Sequence, residues 1–476
     1  MKTFTIRQLT VALLAAGVLS GCSLIPTYER PAAPVASSFP DAPAEQAARS
    51  VSDIGWRDFF TDQRLQALIA ASLENNRDLR IAALRIEEAR GLYNIQRADL
   101  YPNVNAGASA SRARTPADLS PTRSAVVSST YQVGLSLASY ELDFFGRVRS
   151  LNEAALSQYL ATEEARRAAQ ISLVSEVARA YLAERAFAEL EDLAQRTFEA
   201  RESAYKLSKQ RFDVGASSAL ELRQDETLVQ MARASLAQAK RQRARSTNAL
   251  TLLVGKPLSD LPPVQPFSAQ NIVTDIPPGL PSDLLERRPD IRAAEQRLLA
   301  ANANIGAARA AFFPRISLTA GLGTASTSLS GLFDSGSGTW SFVPQLVMPI
   351  FDAGRTSANL DVTQVRKNIA VADYEKSIQT AFREVSDALV ARGTLDEEID
   401  AQRALQEAQA ERLKLSELRY KSGVASSLAV LDAQRDLFSA QQALVQSRLQ
   451  RLTNAVDLYR SLGGGLNETT RTAQKK

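Results

Sequence analysis

Residues 316–333 read ISLTAGLGTASTSLSGLF. Ile316, Leu318, Ala320 and Leu322 alternate with Ser317, Thr319, Gly321 and Gly323. A period of two marks a strand with one apolar face, because successive Cβ atoms point to opposite sides of the backbone. The uncharged run is long enough for a membrane helix, but Gly, Ser and Thr at this density disfavour a helix. The stretch therefore reads as a strand and the turn beyond it.

A second strand follows the polar region around Asp334. Trp340, Phe342, Leu346, Met348 and Ile350 alternate there with Ser341, Val343, Gln345 and Val347. An earlier part of the chain matches. Val104, Ala106, Ala108 and Ala110 alternate with Asn103, Asn105, Gly107 and Ser109. Beyond a polar loop, Arg112 to Arg123, Tyr131, Val133, Leu135 and Leu137 alternate with Gln132, Gly134, Ser136 and Ala138. The predicted strands cover about 102–111, 130–140, 315–324 and 340–350. Apart from Arg315 at the start of the third they are uncharged, have the length a membrane strand needs, and carry aromatic residues (Tyr101, Phe313, Trp340, Phe342) near their ends. Four strands cannot close a barrel. Free edges in lipid leave backbone N–H and C=O groups unpaired at several kcal/mol each. The chain must pool its strands with copies of itself: two copies give a filled eight-stranded barrel, and three give twelve strands and a passage.

The two hairpins belong to an internal duplication. Phe145-Gly146-Arg147 recurs 208 residues later as Ala353-Gly354-Arg355, and the stretch Gln210 to Gly215 recurs as Leu418 to Gly423. Arg97 to Pro102 recurs as Arg309 to Pro314, at a spacing of 212. Each half reads as a helix, a hairpin, a very long helix, a turn and a further helix. Repeat 1 covers 63–255, with helices over 63–98, 144–213 and 218–254. Repeat 2 covers 283–462, with helices over 283–311, 353–421 and 426–462. Gly215 and Gly423 mark the turns. Helices of about 70 residues reach on the order of 100 Å, longer than any globular core. A Pro-rich linker, 256–282, separates the repeats, and 463–476 reads as a loose polar tail.

The N-terminus reads as an export signal over 1–21, with Lys2 and Arg7 before an apolar run, Leu9 to Leu19, too short to span a bilayer. It ends in Leu19-Ser20-Gly21-Cys22, which resembles a bacterial lipobox. Cleavage before Cys22 and acylation of that residue are expected, followed by an extended Pro-rich strap leading into an equatorial segment, 22–62. Cys22 is the only cysteine in 476 residues and histidine is absent, so intrachain disulfides, cysteine metal clusters and histidine catalysis are excluded. With 56 basic and 52 acidic residues the charge is too balanced for a nucleic-acid binder. No catalytic constellation or cofactor motif is legible, so the chain is read as a non-enzyme with no cofactor beyond the covalent lipid on Cys22.

At this point the chain resembles the trimeric outer-membrane factors, the TolC-type channels, above all their lipoprotein members serving multidrug efflux. The carrying stretches are Leu19 to Pro26, Glu141 to Arg147, Leu284 to Ile291, Ala310 to Pro314 and Leu431 to Arg435. The resemblance implies a mainly α fold with a membrane β-barrel. In it a homotrimer forms a twelve-stranded barrel, four strands per chain, that continues into a long α-helical barrel with a mixed equatorial domain. It also implies a periplasmic adaptor (membrane fusion protein) and an inner-membrane RND-type pump as partners. The function implied is a passive drug-exit duct in the outer membrane, anchored by lipid and gated at its periplasmic end. The matching gate positions are Leu428 and Asp432, one helical turn apart, with Tyr420 and Arg435 tying the closed helices. Arg435 lies three residues after Asp432 and has a local pairing open to it instead. The rival reading is a lipid-anchored periplasmic helical scaffold or adaptor, whose strands would carry charge on a face turned to water.

Overall fold

The structure is a computed structural model and describes residues 23–39, 51–121, 123–270, 272–273 and 281–470. Cys22 and the export signal lie outside the described residues. In chain order the elements are a single helical turn, Trp56–Phe59, then α1 (Gln63–Asn75), α2 (Arg77–Ala98), β1 (Val104–Thr115), β2 (Val126–Glu141), α3 (Arg147–Asp213) and α4 (Ala219–Val254). There follow α5 (Pro281–Arg287), α6 (Pro289–Ala310), β3 (Arg315–Ser326), β4 (Gly338–Val347), α7 (Arg355–Lys421) and α8 (Ser427–Ser461). The chain divides into two compact units, and each repeat contributes to both.

The first unit, 1–32, 85–163 and 293–374, holds the sheet. Its four strands are antiparallel in the order β1-β2-β3-β4, so one side of β1 and one side of β4 remain edges. Cross-strand partners share a face. One face carries the rows Val104–Leu137–Ala320–Phe342 and Ala106–Leu135–Leu322–Trp340. The other carries Asn105–Ser136–Gly321–Ser341 and Gly107–Gly134–Gly323–Thr339. The alternation read from the sequence is thus a division of the whole sheet into an apolar side and a small, polar side. A bulge places Ala138 and Ser139 opposite Thr319, with Ser139 at φ 51°, and this twists the foot of β2.

The strands are not free of charge over their full length. β1 runs on to include Arg112 and Arg114, β2 ends at Glu141 and β3 opens on Arg315. All four charges sit at strand ends, outside the span that hydrocarbon would cover. At the helix end Glu141 accepts from Arg147 at 2.6 and 2.8 Å and from Arg315 at 2.7 Å, so these charges are mutually satisfied. β2 and β3 approach closely at Gly134 and Gly323. A Cβ on Gly323 would stand 2.2 Å from the Val133 carbonyl oxygen, whereas nothing lies within 4 Å of one on Gly107. Crowding falls on the small, polar side, as bending a sheet around that side requires. Gly323→Ala is expected to destabilise the assembled sheet by roughly 1–3 kcal/mol, and Gly107→Ala by less than about 0.5 kcal/mol. The dissociation temperature of the oligomer in mild detergent checks both.

Each long helix starts beyond a glycine with positive φ, Gly146 or Gly354, and a preceding aspartate caps it. Asp143 accepts from the Arg149 amide at 2.8 Å, and Asp352 accepts from the Thr356 amide at 2.8 Å. The strap lies along α6 in the same unit. Ile25 packs on Ala154, Ala300 and Ala303, the Pro26 carbonyl accepts from Asn302 at 2.7 Å, and Arg30 grips Glu295 through two bonds at 2.7 and 2.9 Å. Gly306 makes the seat: a Cβ there would come within 2.6 Å of the Ile25 side chain.

The second unit, 33–84, 164–292 and 375–476, has an aromatic and aliphatic core. Trp56, Phe59, Phe60, Leu65, Ile69, Tyr181, Leu182 and Tyr459 are buried, and the Phe59 and Tyr459 rings stack at 4.0 Å. Asp62 caps α1 and also accepts from Tyr181 Oη at 2.6 Å and from Gln270 at 2.8 Å. Burial and that carboxylate push the Tyr181 hydroxyl well above its ordinary range.

Three readings need correction here. The helix expected over 63–98 is two helices. Asn76 ends α1 and, through its side chain, accepts from the Leu79 amide to cap α2, while its Nδ2 donates to the Leu253 carbonyl at 2.9 Å. The helix expected over 283–311 is also two, interrupted at Arg288 because the residue before a proline is pushed from helical geometry. The C-terminal segment is not loose over its described part. The Trp56 and Arg57 amides donate to the carbonyls of Asn467 and Glu468 at 2.9 and 3.1 Å, and Gly463 to Gly465 are buried.

Candidate functional site

The residues singled out for gating lie at or near the helical turn α7–α8. Gly423 adopts φ 74° and ends α7, and Ser426 precedes α8. The α3–α4 turn repeats this geometry, with Gly215 at φ 75° and Ser218 accepting from the Glu221 amide at 3.2 Å. The repeats place Leu220 and Leu428 at equivalent positions, each the second residue of its helix. Both are exposed, at 69% and 51%.

Asp432 follows Leu428 on the same face of α8. Arg435 stands 3.2 Å from Asp432 and 3.1 Å from Asp436, so both of its carboxylate partners are on its own helix. Asp436 also accepts from Arg412 of α7 at 2.8 Å, which makes it a bridge between the two arms of this hairpin near the turn. The Arg412 and Arg435 guanidiniums hold the Asp436 carboxyl below the usual aspartate range. Such exposed pairs are individually weak, about 0–1 kcal/mol, and weaken with salt.

Tyr420 reaches farther. Its hydroxyl donates to Glu221 of α4 at 3.0 Å, across 199 residues of sequence. Burial and Glu221 together raise its ionisation above the ordinary tyrosine range, so the donor stays protonated through neutral pH. This bond joins the second helical hairpin to the first. Glu221, Asp436 and Arg412 are absent from the sequence-based site. Asp436 was legible as the neighbour of Arg435. Nothing in the sequence pairs Glu221 with Tyr420, since their contact is set by how two repeats pack.

Deeper in the hairpins, Ala194, Leu236 and Ala239 form a buried cluster with Phe198 and Phe438 against it, so α3, α4 and α8 share one apolar seam. Among the described residues no group of three or more His, Cys, Asp or Glu side chains converges, and no helix is long and apolar enough to cross a membrane.

A sequence profile described as outer membrane efflux protein matches residues 68–256 and 280–464. The chain belongs to the outer membrane efflux protein family. The two matched segments start 212 residues apart and end 208 residues apart, the same spacings at which the sequence repeats itself. The antibiotic efflux pump outer membrane protein ArpC of Pseudomonas putida is 49% identical over 99% of this chain and 98% of its own length. Outer membrane protein OprJ of Pseudomonas aeruginosa is 51% identical over 96% of both chains. The open state of the MtrE outer membrane channel of Neisseria gonorrhoeae superimposes with a TM-score of 0.86, at 44% identity over 95% of this chain and all of that one. The protein is thus an outer-membrane efflux channel, and the four-stranded sheet with two 67-residue helices is the fold of that class. The scaffold or adaptor reading is set aside.

Proposed function

We propose that three copies close one twelve-stranded barrel in the outer membrane and form a passive exit duct for antibiotics and other amphiphilic compounds. An inner-membrane pump and a periplasmic adaptor deliver the cargo. The observation that carries this is the open sheet: apolar on one side, small and polar on the other, with an edge free at β1 and at β4. Lipid favours the apolar side, water the other, and only closure with further copies removes the edges. The names of relatives such as the antibiotic efflux protein support the cargo class.

In this reading Leu428 forms a ring of three that resists wetting, and Asp432 forms a ring of three whose mutual repulsion is relieved by Arg435 or by a cationic partner. Tyr420 restrains the helix ends through Glu221, Arg435 tempers the aspartate ring from its own helix, and the adaptor's binding displaces both. The chain contributes no chemistry to energise transport; that comes from the inner membrane. Acylation of Cys22 adds an anchor. Its support is the seat of the strap, where the Leu24 carbonyl accepts from Arg309, close to the foot of β3 in sequence.

Replacement of Cys22 by Ala separates this reading from the scaffold. The variant should still require detergent for extraction, should have the mass of three chains when purified, and should conduct ions in planar bilayers. A freely soluble, non-conducting monomer would overturn the proposal.

A further inference from the structure

We infer that Arg112 and Arg114 form a phosphate site at the outer edge of the barrel, and that its ligand is a phosphorylated glycolipid of the outer leaflet. The inference rests on the membrane reading above, which turns the apolar side of the sheet to lipid.

β1 and β2 outrun the other two strands. β2 pairs with β3 only as far as Tyr131–Ser326, whereas β1 and β2 stay paired from Ser111–Thr130 out to Thr115–Val126. This two-stranded extension lies at the end of the sheet away from the helices, which in an outer-membrane channel is the end toward the cell exterior.

The period of two assigns its sides. Ala106, Ala108 and Ala110 belong to the apolar side, and Arg112 and Arg114 continue the same alternation. Arg112 stands opposite Ser129, and Arg114 opposite Val127. The row just inside them on that side is Ala110–Tyr131, with an aromatic ring of the kind that marks the edge of the hydrocarbon. The two exposed arginines are the next two residues outward on the lipid side. An arginine there is costly at the midplane and nearly free at the interface. Depth explains why the pair is tolerated, but not what it holds.

Charge balance supplies the ligand. At the foot of the sheet Glu141 serves both Arg147 and Arg315. The outer extension has no such acid: β1 contains none, and Glu141, at the far end, is the only one in β2. The connecting loop adds one charge of each sign, Asp118 and Arg123, so the outer end of the hairpin keeps a positive excess. Alternate residues of a strand stand about 7 Å apart. Two guanidiniums at that spacing converge on one anion, with the Ser129 hydroxyl beside them. Arginine takes phosphate through paired N–H donors, and a phosphate monoester offers three acceptor oxygens and close to two negative charges near neutral pH. The neighbours then choose a lipid over a free ion. Val127, 54% exposed, shares the side of Arg114, and Tyr131 and Ala110 continue the apolar side inward. A free phosphate has no use for these, whereas a lipid whose phosphate lies at this depth lays its acyl chains along them.

Binding to the purified trimer tests the site with an acylated glucosamine disaccharide carrying phosphate monoesters (lipid A), the same glycolipid stripped of phosphate, and inorganic phosphate. The first should bind the delipidated protein in nonionic detergent, and the second about tenfold or more weakly, a comparison that needs no variant. Inorganic phosphate at equal concentration should not displace the first. A basic side chain near a lipid surface contributes roughly a factor of five, so Arg112→Ser with Arg114→Ser should weaken the phosphorylated glycolipid about twentyfold. Arg123→Ser, on the loop, should change it little. Equal binding with and without the phosphates, or equal binding to the unmodified chain and the double variant, overturns the site. Displacement by inorganic phosphate overturns the lipid as its ligand. A conducting trimer that binds neither glycolipid overturns the site and leaves the membrane reading standing; a soluble monomer overturns both.

Discussion

Leu135→Arg is expected to abolish recovery of the protein from the outer membrane, while Ser136→Arg, one residue on, leaves assembly intact. Leu135 sits in the row Ala106–Leu135–Leu322–Trp340, and Ser136 in the row Asn105–Ser136–Gly321–Ser341 on the other side of the sheet. A lipid-facing arginine near the bilayer midplane costs about 2–4 kcal/mol. Each barrel would carry three, a penalty comparable to the whole stability of a typical fold. An arginine at position 136 meets water instead and should turn the conductance toward anions. Membrane fractionation and reversal potentials in planar bilayers read the two outcomes. Equal behaviour of the two variants would show that the sides of the sheet have been assigned wrongly.

The second large effect is expected at the periplasmic turn. Tyr420→Phe removes a hydrogen bond that ties α7 to α4, and it does so without changing the ring. A hydrogen bond to a charged acceptor contributes about 1.5–3 kcal/mol when well formed; partial exposure here favours the lower end. If the three subunits open together, three such losses add, and about 1.4 kcal/mol is a factor of ten in an equilibrium. Single-channel records should show open times rising by at least a hundredfold, with easier entry of large antibiotics. Asp432→Ala with Arg435→Ala should have a smaller effect. Arg435 pairs only along its own helix, and what those changes remove is the charge of the ring, not a bond between helices. The reverse order of the two effects would show that ring electrostatics, and not the Tyr420 tie, sets the closed state.

Much of the architecture was legible because it rests on short-range periodicity. The strands announced themselves by a period of two, and the duplication by recurrence of Gly146-Arg147 and Gly354-Arg355. What escaped depends on contacts between distant parts of the chain. The break at Asn76 has no proline or glycine to signal it; an asparagine side chain makes it by capping the next helix and donating to Leu253. Arg112 and Arg114 read as loop residues by their charge, whereas the strand runs on through both to Thr115. The tail after Gly463 looked loose by composition, yet it adds backbone bonds to Trp56 and Arg57 from more than 400 residues away. At the turn, Leu428, Asp432 and Arg435 were marked by the family resemblance and not by their spacing, and the acceptor for Tyr420 lay in the other repeat.

The seat of the strap also sets an order of events in biogenesis. Ile25 and Pro26 rest on Ala154, Ala300, Asn302 and Gly306, so their anchorage closes a loop of some 276 residues. Contacts of such high sequence separation form late, after the entropy of loop closure has been offset by others. Residues 25–30 therefore lack their seat until late in the folding of the subunit. They are reeled in only when α6 has found α3, which makes a docked N-terminus a marker of a finished subunit.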